Sequence, residues 1–283
     1  MSSYRTQLKS NCIVIDDSNA ASYASFDPII NGVQMSRGLL PRDLSIHPFG
    51  GLAAAEPFNL PLIPREEWPD RIEEAERKRT HLRALCEDAG MPVLDQNGTN
   101  YCWINAPTWC VMVQRIAAGL PMVRLSPASV GAKIKNFRNN GGWGTEGLQY
   151  IEKYGLVPQA QWPANAIDRS YDNATSDAER PKYRVREWWD IPRNFDKMAT
   201  CLFLNIPVAI GLNWWSHEVT AMRVVSLGGG KFGIEIANSW GAGWSDRGYG
   251  VLTESKGTPD DAVAPRTVTP SDGTVPHSLS TAL

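Results

Sequence analysis

The chain has 283 residues and a formal net charge of −2 at pH 7, so its charge does not favour binding to nucleic acid or to an anionic membrane surface. Apolar residues make up 42% of it, which is ordinary for a globular protein and enough for a core. No apolar run is long enough to cross a bilayer, and the polar N-terminus lacks the apolar segment of a secretory signal.

The cysteine pattern favours a reducing compartment. The chain has five cysteines, an odd number, and no C-x-x-C pair. We therefore expect neither a zinc site nor a disulfide framework. The expectation is a cytoplasmic or other reducing location, with no metal and no other cofactor.

The first third of the chain is predicted to hold an arm and one charged helix. Residues 1–65 contain six prolines and a Gly-Gly pair, which predicts an extended N-terminal arm with little regular structure. Residues 66–90 form the next segment, with a helix expected over 69–89. Pro69 suits the first turn of that helix and Gly90 suits its C-cap.

The rest of the chain reads as helices followed by strands. Three helices are predicted, at 102–118, 127–138 and 145–154, with Pro107 kinking or delaying the first. Five strands are predicted, at 183–189, 207–213, 219–226, 232–237 and 248–253. The glycines at 228–230 are expected to form a hairpin turn, since a strand follows them where a dinucleotide site needs a helix. This order predicts an α+β fold with a helical lobe and a sheet lobe. Residues 256–283 are expected to be a flexible C-terminal tail.

A cysteine, a histidine and an asparagine follow one another in the order that thiol chemistry needs. Cys102 follows a turn and is predicted to begin a helix, where the dipole and free N–H groups stabilise a thiolate. His217, as imidazolium, would pair with that thiolate and later protonate the leaving amine. Asn238 would accept the proton of the other ring nitrogen and hold the ring in place.

Sequence blocks around these residues resemble the papain-like cysteine peptidases over residues 91–253. Gln96 precedes Cys102 by six residues, as in that family. The run Asn238-Ser239-Trp240-Gly241 and the loop Asn140-Gly141-Gly142-Trp143 resemble two further blocks of the family. The resemblance implies a papain-like two-lobed fold with a peptidase domain over 91–255. The helical lobe would carry the Cys helix, and an antiparallel sheet lobe would carry His and Asn.

The resemblance also implies roles for the neighbouring residues. The side-chain amide of Gln96 and the backbone N–H of Cys102 would form the oxyanion hole. Gly141 and Gly142 would leave room for a substrate strand to pair with their backbone. Trp240 would cover the His–Asn hydrogen bond. The remaining residues expected at the substrate are Trp143, Ser216 and Glu218.

The chain departs from the family in three respects. Thr99 stands where the family has a disulfide cysteine, and the link between 207–210 and His217 is short. Glu218 replaces a small residue, and would either disturb the imidazolium or bias a pocket toward basic side chains. The segments 1–65 and 66–90 occupy the position of the family's inhibitory propeptide, but their sequences do not match its usual pattern. Segment 66–90 is therefore expected to be either a propeptide or a docking element.

Three functions remain open from the sequence. The leading hypothesis is a cysteine-type peptidase that acts on polypeptides through an acyl-enzyme on Cys102. The alternative is a structural or scaffolding subunit of a larger assembly, such as a virion, that keeps the fold with a vestigial site. In that case protein partners would hold the arm and the tail. The third is thiol-dependent acyl transfer to amines.

Overall fold

The computed structural model describes residues 4–49, 55–270 and 277–278, with the strands at 55–57 and 277–278 described by their backbone alone. The helices are α1 (Ala20–Ser25), α2 (Trp68–Lys78), α3 (Leu82–Asp88), α4 (Cys102–Ala117), α5 (Ala128–Ile134), α6 (Gly144–Lys153), α7 (Ala174–Glu179), α8 (Phe195–Phe203) and α9 (Glu254–Gly257). The strands are β1 (Val14–Ile15), β2 (Ile29–Ile30), β3 (Val33–Gln34), β4 (Ala55–Pro57), β5 (Leu125–Ser126), β6 (Val157–Pro158), β7 (Val185–Ile191), β8 (Val208–Leu212), β9 (His217–Gly228), β10 (Lys231–Ala237), β11 (Tyr249–Thr253), β12 (Asp261–Val268) and β13 (His277–Ser278).

Helix α4 forms the centre of the molecule. It packs on β9 and β12 of the sheet and on α5 and α6 of the helical lobe, so that all of its side chains from Cys102 to Arg115 are buried. Pro107 was predicted to kink or delay this helix, and the delay is not seen, because α4 begins at Cys102 with Pro107 inside it. Pro107 cannot donate to the carbonyl of Trp103, but packing on both sides stabilises the helix without that bond.

The main sheet has the strand order β1-β11-β10-β9-β8-β12-β7-β4, with β13 paired to β12. Its centre is antiparallel, whereas β1 and β4 pair in parallel with the strands beside them. His217 is the first residue of β9, and Asn238 follows the last residue of β10. The predicted α+β class, with the Cys helix in one lobe and His and Asn in the sheet lobe, is confirmed.

The helix predicted over 69–89 is two helices, α2 and α3. Arg79 adopts a left-handed conformation with φ 53°, and its N–H donates to the carbonyls of Ala75 and Glu76, which ends α2. His81 then caps α3 by accepting the N–H of Ala84 on Nδ1. The break was not predicted because neither Gly nor Pro marks it. Left-handed φ is uncommon outside Gly.

The expectation of a tail without regular structure is wrong for residues 261–268. They form β12, which lies between β8 and β7 in the interior of the sheet, where Ala262, Val263 and Ala264 are buried. Pro265 is accommodated by a break in register between Pro265 and Thr267. Part of the predicted tail, at 271–276 and 279–283, lies outside the described residues.

The N-terminal arm is also more regular than predicted. It contributes β1 at one edge of the sheet and β4 at the other, so that it passes from edge to edge across the molecule. The remaining predicted helices and strands are confirmed as α5, α6 and β7 to β11, with shifts of a few residues at their ends. Within the described ranges, every helix is too short or too polar to cross a membrane.

Candidate active site

Cys102 opens α4 and lies completely buried. Burial raises the pKa of its thiol well above the ordinary value, while the backbone N–H groups of Glu218, Leu39 and Trp103 favour the thiolate. Burial is the larger effect, so the thiol is neutral in this state. The predicted position at a helix start is confirmed, but the helix dipole does not by itself produce a thiolate here.

His217 and Asn238 are joined by a hydrogen bond of 2.8 Å between the ring Nε2 and the amide Oδ1. Because Oδ1 only accepts, Nε2 carries the proton and Nδ1 keeps its lone pair. Among the described residues, the buried Nδ1 has no hydrogen-bond partner, Cys102 included, so its lone pair is available to accept a proton. Trp240 stacks on the imidazole, with ring centroids 4.6 Å apart at 26°, and so keeps water from the His–Asn pair.

The imidazole is neutral. Burial lowers the pKa of His217 to about 3, Asn238 opposes that change by accepting the Nε2 proton, and the positive charge of Arg37 lowers the pKa further. The thiolate–imidazolium pair expected from the sequence is not seen, since in the described part of the chain no hydrogen bond joins Cys102 to His217 Nδ1, and burial disfavours both charged forms. The physical reason is desolvation, since burial without water penalises both charges.

A segment of the N-terminal arm occupies the groove between the lobes; we call residues 36–42 the strap. The N–H of Gly142 donates to the carbonyl of Gly38 at 3.0 Å, and the N–H of Leu40 donates to the carbonyl of Gly142 at 2.9 Å. On its other side the strap donates from Leu39 to the carbonyl of Ser216 at 3.2 Å. The strap thus pairs with both walls, and its Leu39 N–H favours the thiolate form of Cys102.

Three glycines allow this close approach. A Cβ on Gly38, whose φ is +147°, would lie 2.2 Å from the carbonyl oxygen of Asn100. A Cβ on Gly141 would lie 2.4 Å from the carbonyl oxygen of Gly38, and one on Gly142 would lie 2.7 Å from the ring of Trp103. The backbone pairing predicted for the Gly141–Gly142 loop is thus made, and its partner is the chain's own strap.

The side-chain amide of Gln96 is fully engaged. Its Nε2 donates to the carbonyls of Ser36 and Thr99, at 2.8 and 2.7 Å, and its Oε1 accepts from the hydroxyl of Ser239 at 2.6 Å. Trp240 also donates from Nε1 to the carbonyl of Ser36, at 3.0 Å. The oxyanion role of Gln96 stays a prediction, because the strap now holds one of its two donors.

The other predicted substrate residues surround the same groove. Trp143 packs on His47 of the arm, with ring centroids 5.4 Å apart. Ser216, with φ 51°, turns its carbonyl toward the strap, and Glu218 is buried beside Gly144. In the part of the chain that the structure describes, no group of His, Cys, Asp or Glu is arranged to hold a metal ion.

Sequence reasoning missed two features of the site. Ser239 orients Gln96, and its position inside the Asn238-Ser239-Trp240 run was a signal that could have identified it. The strap residues Ser36 and Arg37 had no such signal. At the site, Ser36 accepts from Gln96 and Trp240, and Arg37 donates to the carbonyl of Trp215; these partners lie 60, 204 and 178 positions away along the chain.

Two curated proteins are similar to the chain in sequence, although no protein-family model matches it. The chain is 23% identical to chymopapain from Carica papaya over 187 residues, which is 59% of this chain and 52% of chymopapain. It is 21% identical to mexicain from Jacaratia mexicana over 182 residues, or 59% of this chain and 84% of mexicain. The chain thus spans about half the length of chymopapain.

Solved structures show the same fold. Digestive procathepsin L 3 of Tenebrio molitor larval midgut matches with a TM-score of 0.55 at 17% identity, covering 88% of this chain and 78% of that one. Xylellain, a cysteine protease from Xylella fastidiosa, matches with a TM-score of 0.54 at 15% identity, covering 83% and 96%. The chain therefore has the papain-like cysteine peptidase fold, which confirms the resemblance seen in its sequence. The similarities support peptidase function in general.

Proposed function

We propose that the chain is a cysteine-type peptidase in a latent state, with Cys102 as nucleophile. The observation that carries the proposal is the 2.8 Å hydrogen bond between His217 Nε2 and Asn238 Oδ1, which Trp240 covers. It leaves Nδ1 without a hydrogen-bond partner in the part of the chain that the structure describes. With its proton on Nε2, the imidazole can take the proton of the Cys102 thiol once that thiol and Nδ1 approach to hydrogen-bonding distance.

The proposed reaction forms a thioester on the sulfur of Cys102 and then hydrolyses it. His217 Nδ1 takes the proton of Cys102, and the sulfur attacks the carbonyl carbon of the substrate. The amide C–N bond then breaks as the same imidazolium protonates the leaving amine. Water, deprotonated by His217, attacks the thioester and restores the thiol. Gln96 and the backbone N–H of Cys102 would stabilise each oxyanion, a contribution of about 3 kcal/mol for one such donor.

The strap keeps the proposed active site closed. It pairs with Gly142 and Ser216, takes a donor of Gln96, and places Arg37 where its charge opposes an imidazolium at His217. A polypeptide substrate needs the same backbone groups, so the strap and the substrate exclude each other. Activity therefore requires that residues 36–42 leave the groove by displacement or cleavage.

The comparisons give no support to the scaffold or to acyl transfer. The structures that match include xylellain and the Amb a 11 protein from ragweed pollen, both described as cysteine proteases. We therefore retain hydrolysis as the proposal.

A peptide-library digest tests the proposal. The chain is incubated with the library before and after limited proteolysis of the arm. Cys102→Ala is tested beside it, with Cys110→Ala as the matched variant, which removes another buried thiol of α4 about 12 Å further along the helix axis. After proteolysis of the arm, we expect the wild type and Cys110→Ala to cleave the library and Cys102→Ala not to cleave it. Cleavage by Cys102→Ala, or none by any form, would overturn the proposal.

A further inference from the structure

Two buried carboxylates hold a cation that belongs to the strap. Asp190 lies in β7, and Asp261 is the first residue of β12. The guanidinium of Arg42 donates from one nitrogen to Asp190 at 2.6 Å and to Asp261 at 2.9 Å, and from the other to Asp190 at 2.8 Å. The side chains of Arg42, Asp190 and Asp261 are 2%, 0% and 9% exposed, so the three charges are withdrawn from water together.

The rest of the Arg42 guanidinium is bound by the arm itself. Nε donates to the carbonyl of His47 at 2.7 Å, the second terminal nitrogen donates to that of Pro48 at 2.9 Å, and the ring of Phe49 lies 4.6 Å from the guanidinium carbon. These groups would leave the groove together with Arg42. The two carboxylates would stay, because they belong to strands inside the sheet.

A third acid completes the pocket. Glu218 is 2% exposed and accepts the N–H of Gly144, and its buried Oε2 has no hydrogen-bond partner within the described ranges. It is placed on β9 opposite Gly211 of β8, and Gly211 is also the strand partner of Asp261. Burial raises the pKa of Glu218, and the negative charge of Asp261 raises it further.

The strap links the pocket to the nucleophile. A Cβ built on Gly211 would lie 3.4 Å from both methyl groups of Leu39, the strap residue whose N–H favours the thiolate form of Cys102. Arg42 follows three residues later, which in an extended chain is about 10 Å. A peptide that follows the strap's path would therefore present one side chain to Gly211 and another to the acids.

We propose that the pocket formed by Asp190, Glu218 and Asp261 binds the guanidinium or ammonium group of a substrate side chain, with Arg42 as its tethered occupant while the strap is in place. Withdrawing Arg42 from these buried carboxylates is strongly unfavourable, so an incoming Arg or Lys has a strong advantage over a neutral residue. The inference rests on the proposed peptidase function for its substrate, a polypeptide with a basic residue.

A binding experiment tests the pocket without using catalysis. In the Cys102→Ala/Arg42→Ala chain, calorimetry compares Nα-acetyl-arginine amide with Nα-acetyl-citrulline amide, which has nearly the same shape and no charge. We expect the arginine compound to bind at least about tenfold more tightly, because hydrogen bonds between a charged donor and a carboxylate are stronger than those from a neutral donor. Adding Asp261→Asn should remove most of that difference. Equal binding of both compounds overturns the inference.

If the Arg42→Ala chain does not fold, the pocket can still be tested. The thermal unfolding transition is then measured with each compound present. Recovery of a cooperative transition by acetyl-arginine amide, and not by acetyl-citrulline amide, supports the pocket. Recovery by neither compound, or by both equally, contradicts it.

The pocket and the peptidase proposal fail in different ways. Hydrolysis by the strap-opened chain without preference for Arg or Lys overturns the pocket and leaves the peptidase. Charge-selective binding by a chain that cleaves nothing overturns the peptidase and leaves the pocket.

Discussion

Gln96 donates one of its amide N–H groups to the carbonyl oxygen of Ser36, at 2.8 Å. The donor that the sequence assigns to the oxyanion of a substrate is thus satisfied by the chain itself. A buried amide whose partner leaves is costly, because an unsatisfied donor costs about 1–3 kcal/mol. The strap is therefore stabilised by the same group that a transition state would use, and opening the strap exposes that group to substrate.

Gly38→Ala should loosen the strap. The added Cβ meets the carbonyl oxygen of Asn100 at 2.2 Å, and a non-glycine residue at φ +147° adds strain of about 1–3 kcal/mol. Hydrogen exchange at the Leu40 and Gly142 amides should then be about fivefold to a hundredfold faster. Gly32→Ala is the matched control, since Gly32 also has positive φ, at +80°, but its Cβ would meet nothing within 4 Å. Unchanged protection in Gly38→Ala would contradict this account of how the strap is held.

Trp240→Phe should separate the two roles of this indole. Phenylalanine keeps an aromatic face on His217 but loses the N–H that donates to Ser36, a bond worth about 1 kcal/mol. We expect a small alkylating reagent to modify Cys102 about fivefold faster. Trp244→Phe is the comparison, because that indole packs against Gly250 instead of the strap. A slower reaction in Trp240→Phe than in the wild type would show that the bond to Ser36 does not restrain the strap.

Asn238→Ala should impair catalysis more than stability. Without Oδ1 the imidazole loses the acceptor that fixes its tautomer, and a hydrogen bond to a charged ring is worth about 1.5–3 kcal/mol. In the strap-opened chain we expect kcat/KM to fall about tenfold to a hundredfold. Asn213→Ala, an exposed asparagine near the start of β9, should leave kcat/KM within about twofold. Equal losses in the two variants would argue against an orienting role for Asn238.

Stability should fall in acid through Glu235. Burial alone would raise its pKa, but Arg223 and Arg83 bind it and lower the pKa below the ordinary value. A carboxyl with a lower pKa in the folded state contributes stability above its unfolded pKa of about 4.3, and that stability is lost as pH falls through the folded pKa.

Urea unfolding at a series of pH values measures this effect. The free energy of unfolding of the wild type should decrease below about pH 4.5, and the decrease should be shallower in Glu235→Gln. The exposed Glu66→Gln should follow the wild-type curve. A Glu235→Gln curve parallel to the wild type would show that this carboxyl does not couple folding to protons.

The features predicted from the sequence depend on short stretches of chain. Turn residues just before Cys102 predicted the start of α4, and alternating apolar residues predicted β9 and β10, whose ends position His217 and Asn238. These patterns are local, so a single sequence contains them. The α+β class followed from their order.

The features that were not predicted depend on distant contacts. Nothing in residues 36–42 indicates that Gly38 pairs with Gly142 across the groove. Residues 261–268 read as a tail because Pro265 and polar neighbours disfavour a strand, yet β8 and β7 supply pairing on both sides. Desolvation, which keeps Cys102 and His217 neutral, likewise arises from the packing of the whole groove.

Site-resolved alkylation tests the central claim most directly. Iodoacetamide is applied at about pH 5.5 to the Gly38→Ala chain, and mass spectrometry follows each of the five cysteines. Our account predicts one fast adduct, on Cys102, that slows at least about tenfold when His217→Ala is added, because the imidazolium then no longer holds the thiolate. Equal slow labelling of all five thiols, or a fast Cys102 adduct indifferent to His217→Ala, would contradict it.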